Sequence, residues 1–188
     1  MTNKQLTRCA WVTDDPLYIA YHDQEWGVPV YDDLALFEML ILEGQQAGLN
    51  WLTILKKRAS LRAAYANFDP IKLSRFNQQD FQRLMQNTSI IRNRLKIQAA
   101  ILNAKALLNL KNKGESLSDI LWDCVNGQPI VNTWQTSTEV PVMSVQSKQM
   151  SSRLKKRGFS FVGPTICYAF MQAVGMVNDH TLDCFKRH

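Results

Sequence analysis

No apolar run in these 188 residues approaches the ~20 needed to cross a bilayer. Nor does the chain open with a basic stretch, an apolar stretch and a small-residue cleavage site. A membrane protein is therefore not expected, and a cytoplasmic one is. Cysteine is scarce, at four residues. In a reducing compartment so few are not a disulfide framework, and their spacing has to be read for another purpose. Internal repeats, low-complexity segments and linker-like stretches are also missing. The expectation is one unit over residues 1–188, organised as one domain or as two small helical lobes with a pocket between them.

What is present is ordinary in amount and informative in arrangement. Hydrophobic residues make up 46% and charged residues 20%, which permits a large core and excludes general disorder. The net charge is +6 and the sequence pI about 9.2. A basic excess suits a polyanion such as nucleic acid without proving one. The charge falls into three groups: Lys56-Lys57-Arg58; Arg92, Arg94 and Lys96; and Arg153, Lys155, Lys156 and Arg157. Each group on its own also reads as a solvated helix face.

The dominant hydrophobic period is helical, and the expected class is all-α. Asp32 or Asp33 caps the helix carrying Phe37 and Leu40, and Asn50 caps one that begins at Trp51. Asn77 with Asp80 forms a capping box. The longest helix is expected over 90–110, with Leu95, Ala99, Leu102, Ala106 and Leu110 as its apolar face. A further helix is expected over 118–126, and residues 129–141 read as a connecting loop. A basic helix over 145–157 stops at Gly158, and a last helix starts near Pro164. Lys186-Arg187-His188 read as a solvated tail.

Two thiols and two imidazoles sit at the ends of the chain: Cys9 and His22, then His180 and Cys184. Together they would make a closed tetrahedral zinc set, structural because no position is left for water. His180 and Cys184, four apart, would share a helix face. Two readings stay open on spacing alone: the ligand set, or Cys9 as a small buried hydrophobe and His22 as a hydrogen-bonded histidine. Cys124 and Cys167 lie in apolar helical patterns and read as core.

The stretch from Arg157 through Gly158, Phe159 and Gly163 to Thr165 joins a basic helix to an apolar one by a glycine-containing turn. A helix-hairpin-helix element has this form, with free backbone N–H groups for a phosphate. An ordinary packing joint has it too. Earlier in the chain, Trp11, Tyr18, Tyr21, Trp26 and Trp51 accompany Glu43. Aromatic faces plus one acid suit a flipped, cationic base. The alternative is that the aromatics are core and Glu43 is a helix-end acid.

Several contiguous motifs settle these alternatives by resemblance. Arg8-Cys9-Ala10-Trp11, Asp15-Pro16-Leu17-Tyr18, Tyr21-His22-Asp23 and Glu25-Trp26-Gly27 are similar to the opening of the 3-methyladenine DNA glycosylase I family. Leu42-Glu43-Gly44-Gln45-Gln46-Ala47-Gly48-Leu49-Asn50-Trp51 resembles its most distinctive stretch. Gly158-Phe159, Phe161-Val162-Gly163, Tyr168, Phe170-Met171-Gln172-Ala173 and Val177-Asn178-Asp179-His180 resemble its closing signature. The resemblance covers residues 8 to 184.

It implies an all-helical helix-hairpin-helix glycosylase with one structural zinc on Cys9, His22, His180 and Cys184. It also implies base recognition by Glu43, Tyr21 and Trp51, with Trp11, Tyr18 and Trp26 as wall or support residues. Glu43 is the implied catalytic residue. Backbone contacts to DNA would come from Gly158, Phe159, Gly163 and Thr165, with Lys155, Lys156 and Arg157 beside them. The implied partner is alkylated double-stranded DNA and the product free 3-methyladenine, handled by a monomer. Lyase members of the wider superfamily carry a lysine shortly after the hairpin glycine. Here Gly163 is followed by Pro164, Thr165 and Ile166, which implies a monofunctional enzyme. Asn178 stands where many superfamily members have a catalytic aspartate, and this leaves open which acid, if any, activates water.

Overall fold

The computed structural model describes residues 6–187. Among them, helices run Pro16–Gln24 (α1), Asp33–Gln46 (α2), Trp51–Ala64 (α3), Pro70–Ser74 (α4) and Gln78–Gln86 (α5). Arg94–Asn112 (α6), Leu117–Trp122 (α7), Val145–Lys156 (α8) and Pro164–Ala173 (α9) complete the helical set. The class is all-α, as expected.

The predicted caps are in place. Asp32 accepts from the amides of Leu34 and Ala35, Asn50 accepts from that of Leu52, and the Asn77–Asp80 capping box is complete. Asp33, the other candidate at the start of α2, reaches across instead to the start of α7. There it accepts from Ser116 Oγ at 3.2 Å and Ser118 N at 2.8 Å. The helix expected from 118 thus begins at Leu117, capped by Ser116.

α2 is the centre of the molecule. Leu36, Phe37, Leu40, Ile41 and Leu42 are all buried, because α3, α6, α7 and α9 surround the helix and beyond its first turn leave it little solvent face. Glu43 lies on this helix and is buried with them. The C-terminal end of α2 is held by an ammonium group: Lys96 Nζ donates to the carbonyls of Gln45 and Ala47 at 2.8 and 2.7 Å. These are carbonyls that a helix end leaves without intrahelical partners.

Three expectations are corrected. α6 starts at Arg94 rather than near 90, and Leu95 and Leu102 of its expected apolar face are exposed. Ala99, Ala106 and Leu110 are buried as expected, with Ile97, Ala100, Ala104 and Leu107 beside them, so the buried stripe overlaps the expected one but is shifted away from Leu95 and Leu102. The loop over 129–141 contains a two-residue strand, Ile130–Val131 (β1), paired in parallel with Val177–Asn178 (β2). A pairing this short leaves no alternation to detect. Finally, Lys186 and Arg187 are half-buried rather than a solvated tail, and His188 lies outside the described residues.

The beginning and end of the chain are laced together by backbone hydrogen bonds: Gly27 N to Gln172 O, Val30 N to Val174 O, and Phe185 N to Thr7 O, at 3.0 to 3.1 Å. At one crossing the two backbones nearly touch. A Cβ on Gly175 (φ +70°) would lie 2.4 Å from Val28 C and Pro29 N, so glycine is required by both space and conformation.

Candidate active site and metal centre

α1 is set by Asp15, which caps it, and by Pro16 in its first turn. Its inner face carries Tyr18, Tyr21 and His22, all buried. Tyr18 and Tyr21 turn toward Glu43 on α2 and Trp51 at the start of α3, and a cavity of about 310 Å³ opens between them. That volume lies near the lower end of the range for small-molecule sites. Trp11, Tyr18, Tyr21, Trp26, Glu43 and Trp51, the full set of sequence candidates, line it. Trp11 stands 5.0 Å from both Tyr18 and Trp26, centroid to centroid, and Tyr21 is 5.4 Å from Trp51.

Glu43 is set deep in this aromatic chamber. It is 3% exposed, and its Oε2 has no hydrogen-bond partner in the protein. Burial pushes its carboxyl up to about 8, since desolvation disfavours the charged form. Trp51 Nε1 is likewise buried and unpartnered. A buried acceptor and a buried donor without partners, beside flat apolar walls, suit a planar heterocycle with polar edges.

Sequence reasoning did not assign Gln46, Ser137, Val140, Ala169, Gln172 or Thr181 to this cavity, yet they also line it. Ser137 and Val140 sit in the aperiodic 129–141 segment, where no local pattern marks them. Gln172 is inside the closing motif, but its direction is set by α9 packing. Asp179 joins the lining as well. Asn178 faces its own turn, accepting from His180 N at 3.2 Å.

The two thiols and two imidazoles converge. The donor atoms of Cys9, His22, His180 and Cys184 all lie within 4.8 Å of one another, and all four residues are buried. Cys184 Sγ is 3.4 Å from both His22 Nε2 and His180 Nδ1, and Cys9 Sγ is 3.5 Å from His180 Nδ1. A tetrahedral centre on two thiolates and two imidazoles has edges of about 3.5 Å, so the set fits a metal ion. His22 Nδ1 is bound to Asp23 Oδ1 at 2.8 Å, and Arg8 holds Asp23 in turn. This fixes Nε2 of His22 as the free nitrogen. Burial lowers His180 to about 4 and leads the lowering of His22, and it raises Cys9 to about 12. The imidazoles are thus neutral, as ligation requires, whereas the Cys9 thiol would have to give up its proton to an arriving cation. His180 and Cys184 converge through a turn, closed by Cys184 N to Thr181 O at 2.9 Å, and not along the helix face expected from their spacing.

The hairpin lies between α8 and α9. Gly158 (φ +87°) ends α8, and α9 starts after Gly163 with no side-chain cap, which leaves its first amides open. Asn103 of α6 grips the turn, donating to Ser160 O at 3.0 Å and accepting from Ser160 N at 2.7 Å. Lys155, Lys156, Gly158 and Thr165 are exposed. Phe159 is turned into the core, so only its backbone is available. Arg157 is paired with Glu115 at 2.9 Å.

The other basic residues are largely engaged within the protein. Lys56 pairs with Asp15, Arg58 with Glu25 and Glu38, and Arg153 with Asp123. Arg94 lies over the Phe81 ring. Much of what the sequence presents as charge clusters is internal bracing.

Comparison with known proteins agrees with this geometry. The sequence model of a family described as methyladenine glycosylase matches residues 11–187. The chain is 54% identical to DNA-3-methyladenine glycosylase 1 of Escherichia coli strain K12 over 179 residues, 95% of this chain and 96% of that protein. A crystal structure of 3-methyladenine DNA glycosylase I superposes with a TM-score of 0.95 at 54% identity, covering 96% of this chain and 99% of the other. A Staphylococcus aureus 3-methyladenine DNA glycosylase I, whose structure addresses 3-methyladenine recognition, gives 0.92 at 38% identity, with 97% of each chain covered.

Proposed function

The chain belongs to the methyladenine glycosylase family, and we propose on that footing how its pocket works. It is a DNA-3-methyladenine glycosylase, a hydrolase of the N-glycosidic bond in alkylated DNA. The observation that carries the mechanistic reading is Glu43: buried, unpartnered and enclosed by aromatic faces.

Methylation at N3 makes adenine cationic within the nucleotide and a good leaving group. The C1′–N9 bond breaks with its electron pair going to the base, which departs neutral. Water then adds to the oxocarbenium-like sugar and releases a proton. Little acid catalysis is needed. The protein's task is to extrude the nucleotide, tell the cation from adenine, and hold it while the bond opens.

Tyr21 and Trp51 stack on or close over the base, with Trp11, Tyr18 and Trp26 as the supporting wall. Glu43 accepts hydrogen bonds from the base edge, and the positive charge of the bound base draws its carboxyl, which burial alone keeps protonated, into the charged form. Contact with one methyl group is worth only ~1–3 kcal/mol, so charge preference for the cation supplies the remaining discrimination. Among the described residues that line the pocket there is no lysine, in keeping with a monofunctional enzyme that leaves the sugar intact.

The four-ligand cluster takes one zinc ion per chain, structural because the set is closed. Exposed Lys155 and Lys156, with the open amides around Gly158, Gly163 and Thr165, hold the backbone of double-stranded DNA. The backbone at Phe159 and the anchored Arg157 support the turn. The pocket draws its lining from residue 9 to residue 181, which favours one working unit over 1–188 that acts as a monomer. Among the described residues no helix is long and apolar enough to cross a membrane, and a cytoplasmic location suits the repair role.

The test is incubation of the purified protein with methylated DNA, followed by chromatography of the released bases. Release of 3-methyladenine while 7-methylguanine stays in the DNA is the expected result. No released base from protein that binds DNA and carries its metal would end the enzymatic reading.

A further inference from the structure

One carboxylate on the pocket wall has no part in this mechanism. Asp179 is 2% exposed, and side chains from two separate parts of the chain converge on it. Its Oδ1 accepts from Asn132 Nδ2 and Trp134 Nε1, each at 2.7 Å. Its Oδ2 accepts from Tyr168 OH and Gln172 Nε2, each at 2.8 Å. A carboxylate offers about four lone-pair sites, and here each has a donor. None remains to take a proton from water.

The donors say what the group does instead. Asn132 and Trp134 belong to the segment after β1 that supplies Ser137 and Val140 to the pocket. Tyr168 and Gln172 belong to α9, and Gln172 also lines the pocket. The backbone adds two ties in the same place, Asn132 N to Asn178 O at 3.1 Å and Leu182 N to Trp134 O at 3.0 Å.

We infer that Asp179 is a positioning residue: it clamps the strap formed by residues 132–140 onto α9, so that Ser137 and Val140 form the wall that confines the base. It does not activate water. The inference rests on the glycosylase reading of the pocket.

The two roles separate on chemistry. The Trp134 indole can only donate, so an asparagine at 179 must keep its oxygen toward Trp134 and Asn132. Its amide then faces Tyr168 OH and Gln172, both of which can turn to accept. Asp179→Asn therefore preserves the clamp but would abolish a general base. Trp134→Phe does the reverse, cutting one clamp bond and leaving the carboxylate intact.

The experiment measures kcat and KM for 3-methyladenine release from methylated DNA, with affinity for free 3-methyladenine and metal content recorded for each variant. Asp179→Asn should keep kcat within about threefold of the parent. Trp134→Phe should weaken free-base affinity and raise KM by about tenfold with little change in kcat, the loss of roughly one well-made buried hydrogen bond. A merely destabilised protein would lose active molecules, and hence kcat, without this KM shift. A fall in kcat of more than about tenfold in Asp179→Asn would overturn the inference, as would parent-like KM and base affinity in Trp134→Phe. Failure of the parent protein to release 3-methyladenine would instead strike the glycosylase reading itself.

Discussion

Glu43 costs the fold stability in order to be useful. Its carboxyl is raised from 4.5 to about 8 by burial, so the native state binds a proton there more tightly than the unfolded chain. A raised carboxyl contributes stability that is fully present below the unfolded value and is lost as pH rises through the folded one. Glu43→Gln keeps the shape and removes the titration. The variant is expected to keep its metal, lose excision and free-base affinity, and gain stability over the parent between about pH 4.5 and pH 8. The gain should reach the order of a few kcal/mol and level off above pH 8. Thermal unfolding of both proteins across that range checks it, and parallel curves would show that Glu43 is not held protonated. At this scale the sequence was informative about identity and ambiguous about role. Tyr21 and Trp51 read as core more readily than as pocket wall, and they are both, buried yet lining the cavity. Only the enclosing helices decide that a buried ring has one free face.

For single elements, local signals were the legible ones. Caps such as Asp32, Asn50 and Asn77 act within a few residues of themselves, so the sequence displays them whole. The orientation of α6 is not local. Asn103 must meet Ser160 and Lys96 must meet the end of α2, and these ties turn Leu95 and Leu102 outward. The hairpin between α8 and α9 shows the same division, since the glycines were readable and the partners of its basic residues were not. Those partners lead to a prediction about DNA binding. Replacing both Lys155 and Lys156 with alanine should weaken it and flatten its dependence on salt, by about 0.9 in logarithmic slope for each phosphate no longer neutralised. Arg157→Ala should leave the slope almost unchanged, because its guanidinium is already bound to Glu115. Titration of duplex DNA at several salt concentrations measures both, and an unaltered slope in the double-lysine variant would remove these lysines from the interface.

Across the whole molecule, the metal cluster joins residues 9 and 22 to residues 180 and 184. The four ligands come together only in the folded chain, so the free energy of binding an ion there would be free energy of folding. Cys184→Ala, or chelation of the parent, is expected to lower the melting temperature by roughly 10 °C. Affinity for the base should fall with it, since Cys9 and Thr181 stand both at the cluster and in the pocket wall. Calorimetry beside elemental analysis tests this, and superimposable melting curves with and without metal would show that the cluster bears no structural load. The convergence was legible only as residue types at the two chain ends, because a contact across more than 150 residues leaves no trace in spacing.

The burial of the sulfurs has a further consequence. Cys9, Cys124, Cys167 and Cys184 are each 5% exposed or less, although thiols are among the best nucleophiles a cell contains. An electrophilic methyl donor that writes the lesion into DNA finds adenine N3 open in the minor groove, while Cys124, Cys167 and Cys184 are sealed in the interior and only Cys9 borders the pocket. The enzyme can thus remain intact through the same chemical exposure that creates its substrate, and it works while the hazard is still present.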